Sequence, residues 1–167
     1  MYINEMKETY LLRGSGFISS KFQELLEHSE HSAELLPRNW TEIPTDPDVA
    51  INFSAYGNYY DQKDFWQAYQ VNVMESLRLL EATDCPVILI STSSVLIPTQ
   101  TPYSASKKAM EEMAVLYAQE HNRDIVVVRP STVTGVGEQE GRLIPKLIRS
   151  CLYGEEMPFV PYPTHDF

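Results

Sequence analysis

Tyr103 and Lys107 are the residues of this sequence whose types and spacing point most directly to chemistry. They lie four residues apart in the segment YSASK, and this spacing places them on one face of a helix. A phenol with an ordinary pKa of about 10 exchanges protons poorly near neutral pH, but a nearby positive charge favours the phenolate. The pair is therefore a candidate general acid/base, in which Lys107 tunes Tyr103.

A cluster of hydroxyl side chains, residues 91–94 (STSS), follows an apolar run a few residues before this pair. Open α/β sheets bind ligands at the carboxyl ends of their strands, so a hydroxyl at that position could hold a substrate oxygen. Thr92 is the first candidate and Ser93 the second. A Tyr–Lys pair at this spacing also occurs on solvated helix faces without any function. The order of glycine turn, hydroxyl cluster and Tyr–Lys pair favours a functional site.

Apolar runs alternate along the chain with helical patterns. The patterns predict strands over 9–12, 49–55, 87–90 and 125–128, and helices over 17–26, 64–83, 103–120 and 142–153, the last ending at Gly154. Residues 27–47 are loop-like, with at most one short strand around 33–36. Strands that are apolar on both faces are typical of a parallel sheet covered by helices on both sides. The sequence thus predicts a doubly wound α/β fold.

Length and composition bound the remaining possibilities. With 167 residues, 43% of them hydrophobic, the chain is long enough for one domain, which we expect to span residues 1–167. A net charge of −10 argues against nucleic acid or an anionic membrane as partner. No apolar run approaches the ~20 residues of a membrane span, and no signal peptide precedes the domain, so we expect a cytoplasmic protein. The cysteines and histidines show no metal-ligand spacing, so no metal is expected.

Several segments, taken in order, resemble the NAD-dependent epimerase/dehydratase family of extended short-chain dehydrogenases/reductases. The segments are Gly14-Ser15-Gly16-Phe17-Ile18, Asn52-Phe53-Ser54-Ala55-Tyr56-Gly57, Val71-Asn72-Val73, Ile90-Ser91-Thr92-Ser93-Ser94-Val95, Tyr103 to Lys107, and Val128-Arg129-Pro130 followed by Thr134-Gly135. The Tyr-x-x-x-Lys spacing alone is a weak signal, whereas the full series in order is a strong one.

The resemblance implies a Rossmann-like domain that binds NAD or NADP and acts on a nucleotide sugar as an epimerase, reductase or dehydratase. By resemblance, Tyr103 is the general acid/base, Lys107 binds the nicotinamide ribose, and Thr92, with Ser93, holds the substrate. The cofactor-binding residues that it implies are Gly14, Gly16, Phe17, Ile18, Ser54, Ala55, Tyr56, Asn72, Ser91, Tyr103, Lys107 and Pro130. Some dehydratase relatives have acidic residues where this chain has Ser93 and Ser94, which favours an epimerase or a reductase.

Two departures from the family concern the cofactor. Arg13 and Ser19 stand where the family has glycines, and Arg13 could pair with a phosphate, obstruct its approach or simply lie in solvent. Only about 35 residues separate Gly16 from Asn52, so we expect the second strand–helix unit to be shortened. Glu34 is then the only candidate for the acidic residue that holds the adenosine ribose, and the alternative is that it is an ordinary acid in an exposed loop.

The third departure is at the carboxyl end, where residues 163–167 (PTHDF) resemble the segment that leads into the family's smaller substrate domain. We therefore expect the chain to be an N-terminal fragment that lacks that domain. A non-catalytic Rossmann-fold remnant with weakened cofactor binding is the alternative. A serine hydrolase built on residues 91–94 is disfavoured, because the sequence has no nucleophile elbow.

Relatives commonly pair two helices with their symmetry mates, so we expect a homodimer through helices 64–83 and 103–120. Both helices carry large apolar side chains outside the core-facing stripe. These are Trp66, Met74 and Met110.

Overall fold

A computed structural model describes residues 7–59 and 61–156. The chain divides after Pro130 into two compact units. The first contains β1 (Thr9–Arg13), α1 (Phe17–Glu27), β2 (Ser32–Leu36), β3 (Val49–Asn52), α2 (Phe65–Tyr69), α3 (Glu75–Ala82), β4 (Val87–Ile90), α4 (Pro102–His121) and β5 (Ile125–Val128), and the second contains α5 (Leu143–Tyr153). One domain over 1–167 stays a prediction.

The five strands form one parallel sheet in the order β2-β1-β3-β4-β5. From β1 the chain first adds β2 on one side and then β3, β4 and β5 on the other, so the sheet is doubly wound as predicted. Arg13, at the carboxyl end of β1, pairs with Leu36 of β2 and Asn52 of β3. This end of β1 is the point where the winding changes direction, and folds of this type bind ligands there.

The link between β2 and β3, residues 37–48, contains neither helix nor strand, which confirms the shortened second unit and its single short strand. Trp40 lies in this link, is 4% exposed, and belongs to the main hydrophobic core together with Leu11 of β1 and Leu79 of α3. The guanidinium of Arg78 lies 4.0 Å above the indole ring. The Trp40 side chain thus covers the part of the core next to this link, which itself contains no helix.

The helix predicted over 64–83 is interrupted by a π-helical turn, residues 70–74, between α2 and α3. The extra residue in such a turn displaces the backbone, which is common next to functional residues, and here the turn carries Asn72. The helix predicted over 103–120 is α4. It begins with a capping box, in which Thr101 and Ser104 each bind the other's backbone N–H, and Pro102 occupies its first position.

Two strand predictions need correction. The strand expected over 49–55 ends at Asn52, because the Asn52 side chain accepts hydrogen bonds from the backbone N–H and the hydroxyl of Ser54 and turns the chain there. The strand β5 is not covered on both faces, since Val126 and Val128 are 56% and 40% exposed.

The helix of the second unit, α5, ends at Gly154 as predicted. This glycine has a φ of 68°, which is typical of a glycine that ends a helix. Residues 163–167 lie outside the described residues.

The packing of Trp40 generates a stability prediction with an internal control. We expect Trp40→Ala to lower the free energy of unfolding by about 3–5 kcal/mol, because it empties a large part of the core. Trp66 is 73% exposed, so Trp66→Ala should stay within about 0.5 kcal/mol. Urea denaturation at low protein concentration measures both values. Similar losses in the two variants would contradict the assigned role of Trp40.

Candidate active site

Lys107 is the most deeply buried charged residue of the site. It is 1% exposed, and its Nζ donates to the carbonyl oxygen of Ile90 at 2.7 Å and to that of Ser54 at 3.2 Å. Ile90 ends β4, and Ser54 follows β3 by two residues. A lysine ammonium has three N–H donors, so two are used to join the ends of neighbouring strands and one remains available for a ligand.

The surroundings of Lys107 lower its pKa to a value close to neutral pH. Burial lowers the pKa of Lys107 from 10.5 to about 8, and the negative charge of Glu111 opposes this shift. Glu111 lies one helical turn beyond Lys107 on α4. The site therefore holds a positive charge next to Tyr103 at neutral pH and loses that charge as the pH rises through about 8.

Glu111 is held by a bidentate ion pair with Arg129, which follows β5. Arg129 Nε and Nη2 lie 2.9 and 2.6 Å from the two carboxylate oxygens. Burial tends to raise the pKa of the Glu111 carboxyl, but the hydrogen bonds and the charge of Arg129 outweigh it, so the net pKa is lowered. Glu111 thus stays ionised, and its charge helps to keep Lys107 protonated. Sequence reasoning missed this pair, although the four-residue spacing from Lys107 was visible.

Asn72 links the loop after β3 to the start of α4. Its side chain accepts a hydrogen bond from the N–H of Tyr56 at 2.9 Å and donates to the carbonyl of Tyr56 and to the Ser106 hydroxyl, both at 2.8 Å. Ser106 in turn donates to the carbonyl of Tyr103 at 2.9 Å. Asn72 is fully buried. Both N–H groups and the oxygen of its amide are therefore devoted to positioning the segments that carry Tyr56 and Tyr103.

A second buried amide, Asn52, extends this network. Its Nδ2 donates to Ser76 Oγ at 3.0 Å, and Ser76 Oγ donates to the carbonyl of Asn72 at 2.8 Å. Its Oδ1 accepts from the N–H of Ser54 at 3.0 Å. The carbonyl that Lys107 uses is thus fixed by side chains from β3 and α3. Ser76 and Ser106 were not singled out from the sequence, since a serine within a helix carries no distinctive signal.

The glycine turn approaches the same loop closely. Gly14 has a φ of 101°, and a Cβ placed on it would lie 2.7 Å from the N of Ser54. Gly16 precedes α1 with no side-chain cap and no acidic residue in the first turn of the helix, and a Cβ there would meet nothing within 4 Å. The space beside Gly16 is open, and the backbone N–H groups of Phe17 and Ile18, both half-buried, begin the helix.

Arg13 is buried, so the possibility that it lies in solvent is wrong. It is 7% exposed, and its Nη2 contacts the carbonyl oxygen of Arg38 at 3.3 Å and Glu75 Oε2 at 3.5 Å. Its Nε has no hydrogen-bond partner among the described residues. Its backbone φ is not positive, since Asn122 is the only described non-glycine residue with positive φ. The turn therefore needs no glycine at this position.

Ser19, the other replaced glycine, is fully buried, and no described residue pairs with its hydroxyl. Glu34, the candidate ribose partner, lies in the middle of β2 in register with Leu11 and is half-buried. It is not at the carboxyl end where a ribose would lie.

The hydroxyl cluster forms a short 3-10 turn after β4, residues 93–96. Thr92 is 9% exposed, and its Oγ1 contacts both the N–H and the hydroxyl of Ser94 at 3.2 Å. Ser91 is buried, and its N–H donates to the carbonyl of Val128 at 2.7 Å. Ser93 is half-buried, and its N–H donates to the carbonyl of Pro130 at 3.0 Å. The cluster is thus tied to the end of β5.

Tyr103 opens onto a cleft of about 460 Å³. The residues that line this cleft are Gly57, Asn58, Tyr59, Gln62, Lys63, Phe65, Thr101, Pro102 and Tyr103. Gly57 has a φ of 97°, and a Cβ on it would lie 2.9 Å from Tyr103 Cβ. Gln62 Oε1 accepts from the N–H of Gly57 at 2.9 Å. Ala55, the other expected contact in this loop, is exposed. Gln62, Lys63 and Phe65 were not among the residues proposed from the sequence.

Within the described ranges, no group of three or more His, Cys, Asp or Glu side chains could hold a metal ion. None of the described helices is both long and apolar enough to cross a bilayer.

The model of the NAD-dependent epimerase/dehydratase family matches residues 14–165. The chain belongs to this family, and the family is NAD-dependent. A search of curated protein sequences found no match.

Solved structures with the same fold include two enzymes that are named for nucleotide sugars and one that is complexed with NADPH. UDP-glucuronic acid 4-epimerase from Bacillus cereus in complex with NAD has 22% identity and a TM-score of 0.74 over 88% of this chain and 63% of its own. RMD from Pseudomonas aeruginosa complexed with NADPH has 22% identity and a TM-score of 0.73 over 87% and 59%. dTDP-glucose 4,6-dehydratase from Bacillus anthracis with NAD has 21% identity and a TM-score of 0.72 over 89% and 63%. The chain spans about three fifths of their length.

The site's own geometry is compatible with a nicotinamide dinucleotide at two points. The open space beside Gly16 faces an uncapped helix start, which favours a phosphate. Lys107 keeps one ammonium donor beyond its two carbonyl partners. These two features are joined through Ser54, which touches the glycine turn and also accepts from Lys107.

The lowered pKa of Lys107 predicts a pH dependence of stability. Between about pH 8 and 10.5 the unfolded chain holds a proton on Lys107 that the folded chain has lost. Loss of this proton from the folded chain therefore stabilises the fold as the pH rises. This stabilisation is complete above the pKa of the unfolded chain and disappears as the pH falls through the pKa of the folded chain. The free energy of unfolding should therefore rise by roughly 2 kcal/mol from pH 7 to 10 relative to Lys107→Met.

Urea titrations at several pH values measure this difference. Lys108→Met is the matched control, because Lys108 is the next residue and is exposed; it should keep the wild-type slope. If the free energy of unfolding of Lys107→Met changed with pH in the same way as that of the wild type, the lowered pKa assigned to Lys107 would be wrong.

Proposed function

We propose that this chain is the nucleotide-binding part of an NAD(P)-dependent enzyme that acts on a nucleotide sugar as an epimerase or reductase. The observation that carries the proposal is the buried Lys107 ammonium, held between the ends of β3 and β4 one helical turn from Tyr103. Membership of the family and the nucleotide-sugar enzymes among the structural relatives support it. Sugar and nucleotide recognition belong to the whole protein and are part of the proposal.

Each residue of the site has a role in this proposal. Tyr103 exchanges the proton of the sugar hydroxyl, and Lys107 holds the nicotinamide ribose and favours the phenolate of Tyr103 by its charge. Thr92 binds the reacting oxygen, which requires its hydroxyl to turn from Ser94. The turn at Gly14 and Gly16 holds the pyrophosphate at the start of α1. A bound nicotinamide supplies the hydride acceptor, and the protein supplies placement.

The cleft beside Tyr103 is the proposed place of the sugar. It borders Tyr103, and one side is formed by the loop that Asn72 and Gln62 hold. Ser93 and Ser94, which are hydroxyl rather than acidic side chains, offer no carboxylate for elimination of water. The epimerase or reductase assignment therefore remains preferred to the dehydratase.

A non-catalytic remnant is the second candidate function, and Arg13 and Ser19 are the observations that favour it. Both are buried where the family has glycine. The remnant would keep the sheet and bind cofactor weakly. Measurement of nicotinamide dinucleotide binding separates the two, because the catalytic proposal requires binding below millimolar concentration.

The proposed homodimer uses the outer faces of α2, α3 and α4. Trp66 and Met74 are 73% and 47% exposed, and Trp66 stacks on Tyr69 with ring centroids 6.4 Å apart. Leu116 of α4 is also exposed. Met110 does not belong to this surface: it is 2% exposed and packs in the core, because its position on α4 faces the sheet.

We expect Trp66→Glu to convert the dimer into a monomer, because a carboxylate placed in an apolar interface loses its hydration without a partner. Light scattering coupled to size exclusion at high micromolar concentration measures the mass. Lys146→Glu, a change of an exposed cation on α5, should leave the dimer intact. A monomeric wild-type chain would refute the dimer.

The assigned roles predict that Lys107→Met and Tyr103→Phe affect different properties, namely dinucleotide binding and turnover. Lys107→Met should weaken dinucleotide binding and turnover together, whereas Tyr103→Phe should retain binding and lower turnover by roughly 10²–10⁴. Calorimetric titration measures affinity, and conversion of UDP-glucose, UDP-galactose and dTDP-glucose measures turnover. Lys108→Met, which removes an exposed neighbouring charge, should change neither. Equal loss of affinity in both site variants would show that the roles are wrong.

A further inference from the structure

The carboxyl end of β2 differs from what an NAD-binding site of this fold needs. In such sheets an acidic residue after the second strand binds the ribose 2′-hydroxyl, whereas an arginine nearby accommodates a 2′-phosphate. Here β2 ends at Leu36, and the next residues are Pro37 and Arg38. The acid of this strand, Glu34, is half-buried and lies two residues before the end of β2, in register with Leu11 rather than with the end of β1.

The turn that carries Arg38 is held in place from three sides. Arg13, at the end of β1, donates to the carbonyl of Arg38 at 3.3 Å. Arg78 donates to the carbonyl of Trp40 and lies over its ring. The Trp40 indole is anchored in the core. The backbone of residues 38–40 is therefore fixed beside the end of β1, where the winding of the sheet changes direction.

The ion pairs beside this turn contain more guanidinium groups than carboxylates, although the whole chain carries −10. Arg13 and Arg78 share one acid, Glu75, at 3.5 and 3.7 Å. The Arg38 side chain is exposed and has no hydrogen-bond or ion-pair partner within residues 7–59 and 61–156. Two guanidinium groups thus share one carboxylate, and the exposed guanidinium of Arg38 is free to bind an anion.

We propose that the chain selects NADP(H) over NAD(H) and that Arg38 binds the 2′-phosphate of the adenosine ribose. The inference rests on the proposed function, since it places a dinucleotide across the end of β1. Arg38 provides the planar donor fork that suits a phosphomonoester. Arg13 acts as a positioning residue, because it fixes the carbonyl of Arg38 and adds a positive charge at the end of β1.

Calorimetric titration with NADP⁺, NAD⁺, adenosine 2′,5′-bisphosphate and adenosine 5′-monophosphate tests the proposal without any turnover. We expect NADP⁺ to bind at least about tenfold more tightly than NAD⁺, and the bisphosphate more tightly than the monophosphate. Arg38→Ala should bring each ratio close to one while NAD⁺ affinity stays unchanged. This variant keeps the backbone carbonyl that Arg13 binds, so the turn is retained. Lys108→Ala, which removes an exposed charge on α4, should preserve the wild-type ratios.

The outcomes separate this inference from the proposed function. Equal binding of NADP⁺ and NAD⁺ by the wild type would overturn the phosphate selection and leave the dinucleotide site standing. A preference that survives Arg38→Ala would overturn the assignment to Arg38. Failure of all four ligands to bind at millimolar concentration would overturn both proposals.

Discussion

Burial of the Lys107 ammonium is the constraint on which the site depends. A cation taken out of water is tolerated only where fixed acceptors replace its hydration, and here the acceptors are the carbonyls of Ser54 and Ile90. These carbonyls belong to different strand ends, so the ammonium fixes the loop after β3 relative to β4. The Glu111–Arg129 pair adds an ionised carboxylate one turn away and limits the cost of the buried charge.

The acceptors are rigid because a connected set of buried amides and hydroxyls surrounds them. Asn52 turns the chain after β3 and reaches Ser76, which reaches the backbone of Asn72, and Asn72 holds Tyr56 and Ser106. Buried polar groups of this kind are stable only when they are fully paired. The π-helical turn serves the same purpose, since it carries Asn72 at the point where its amide can meet both segments.

Periodicity and residue type predicted most of the regular elements, because four short apolar runs and four helical patterns leave little choice. The order of motifs also predicted which segments meet around Lys107. What the sequence did not reveal depends on contacts between distant residues. Trp40 lies in an irregular stretch with no period, and only the packed core shows that it covers the short link. The π-helical turn and the Glu111–Arg129 pair require the relative position of separate elements, as does the burial of Met110.

Arg13 shows how a departure from a family pattern is resolved by geometry. A glycine is required where φ is positive or where another backbone comes too close for a Cβ. In this turn both conditions fall on Gly14, whose virtual Cβ would lie 2.7 Å from Ser54 N, and neither falls on Arg13. The position is therefore free to carry a side chain, provided that its charge is matched. Glu75 and the carbonyl of Arg38 accept contacts from the Arg13 guanidinium. Since Glu75 also pairs with Arg78, its single negative charge does not neutralise both arginines, and this end of the sheet favours an anion.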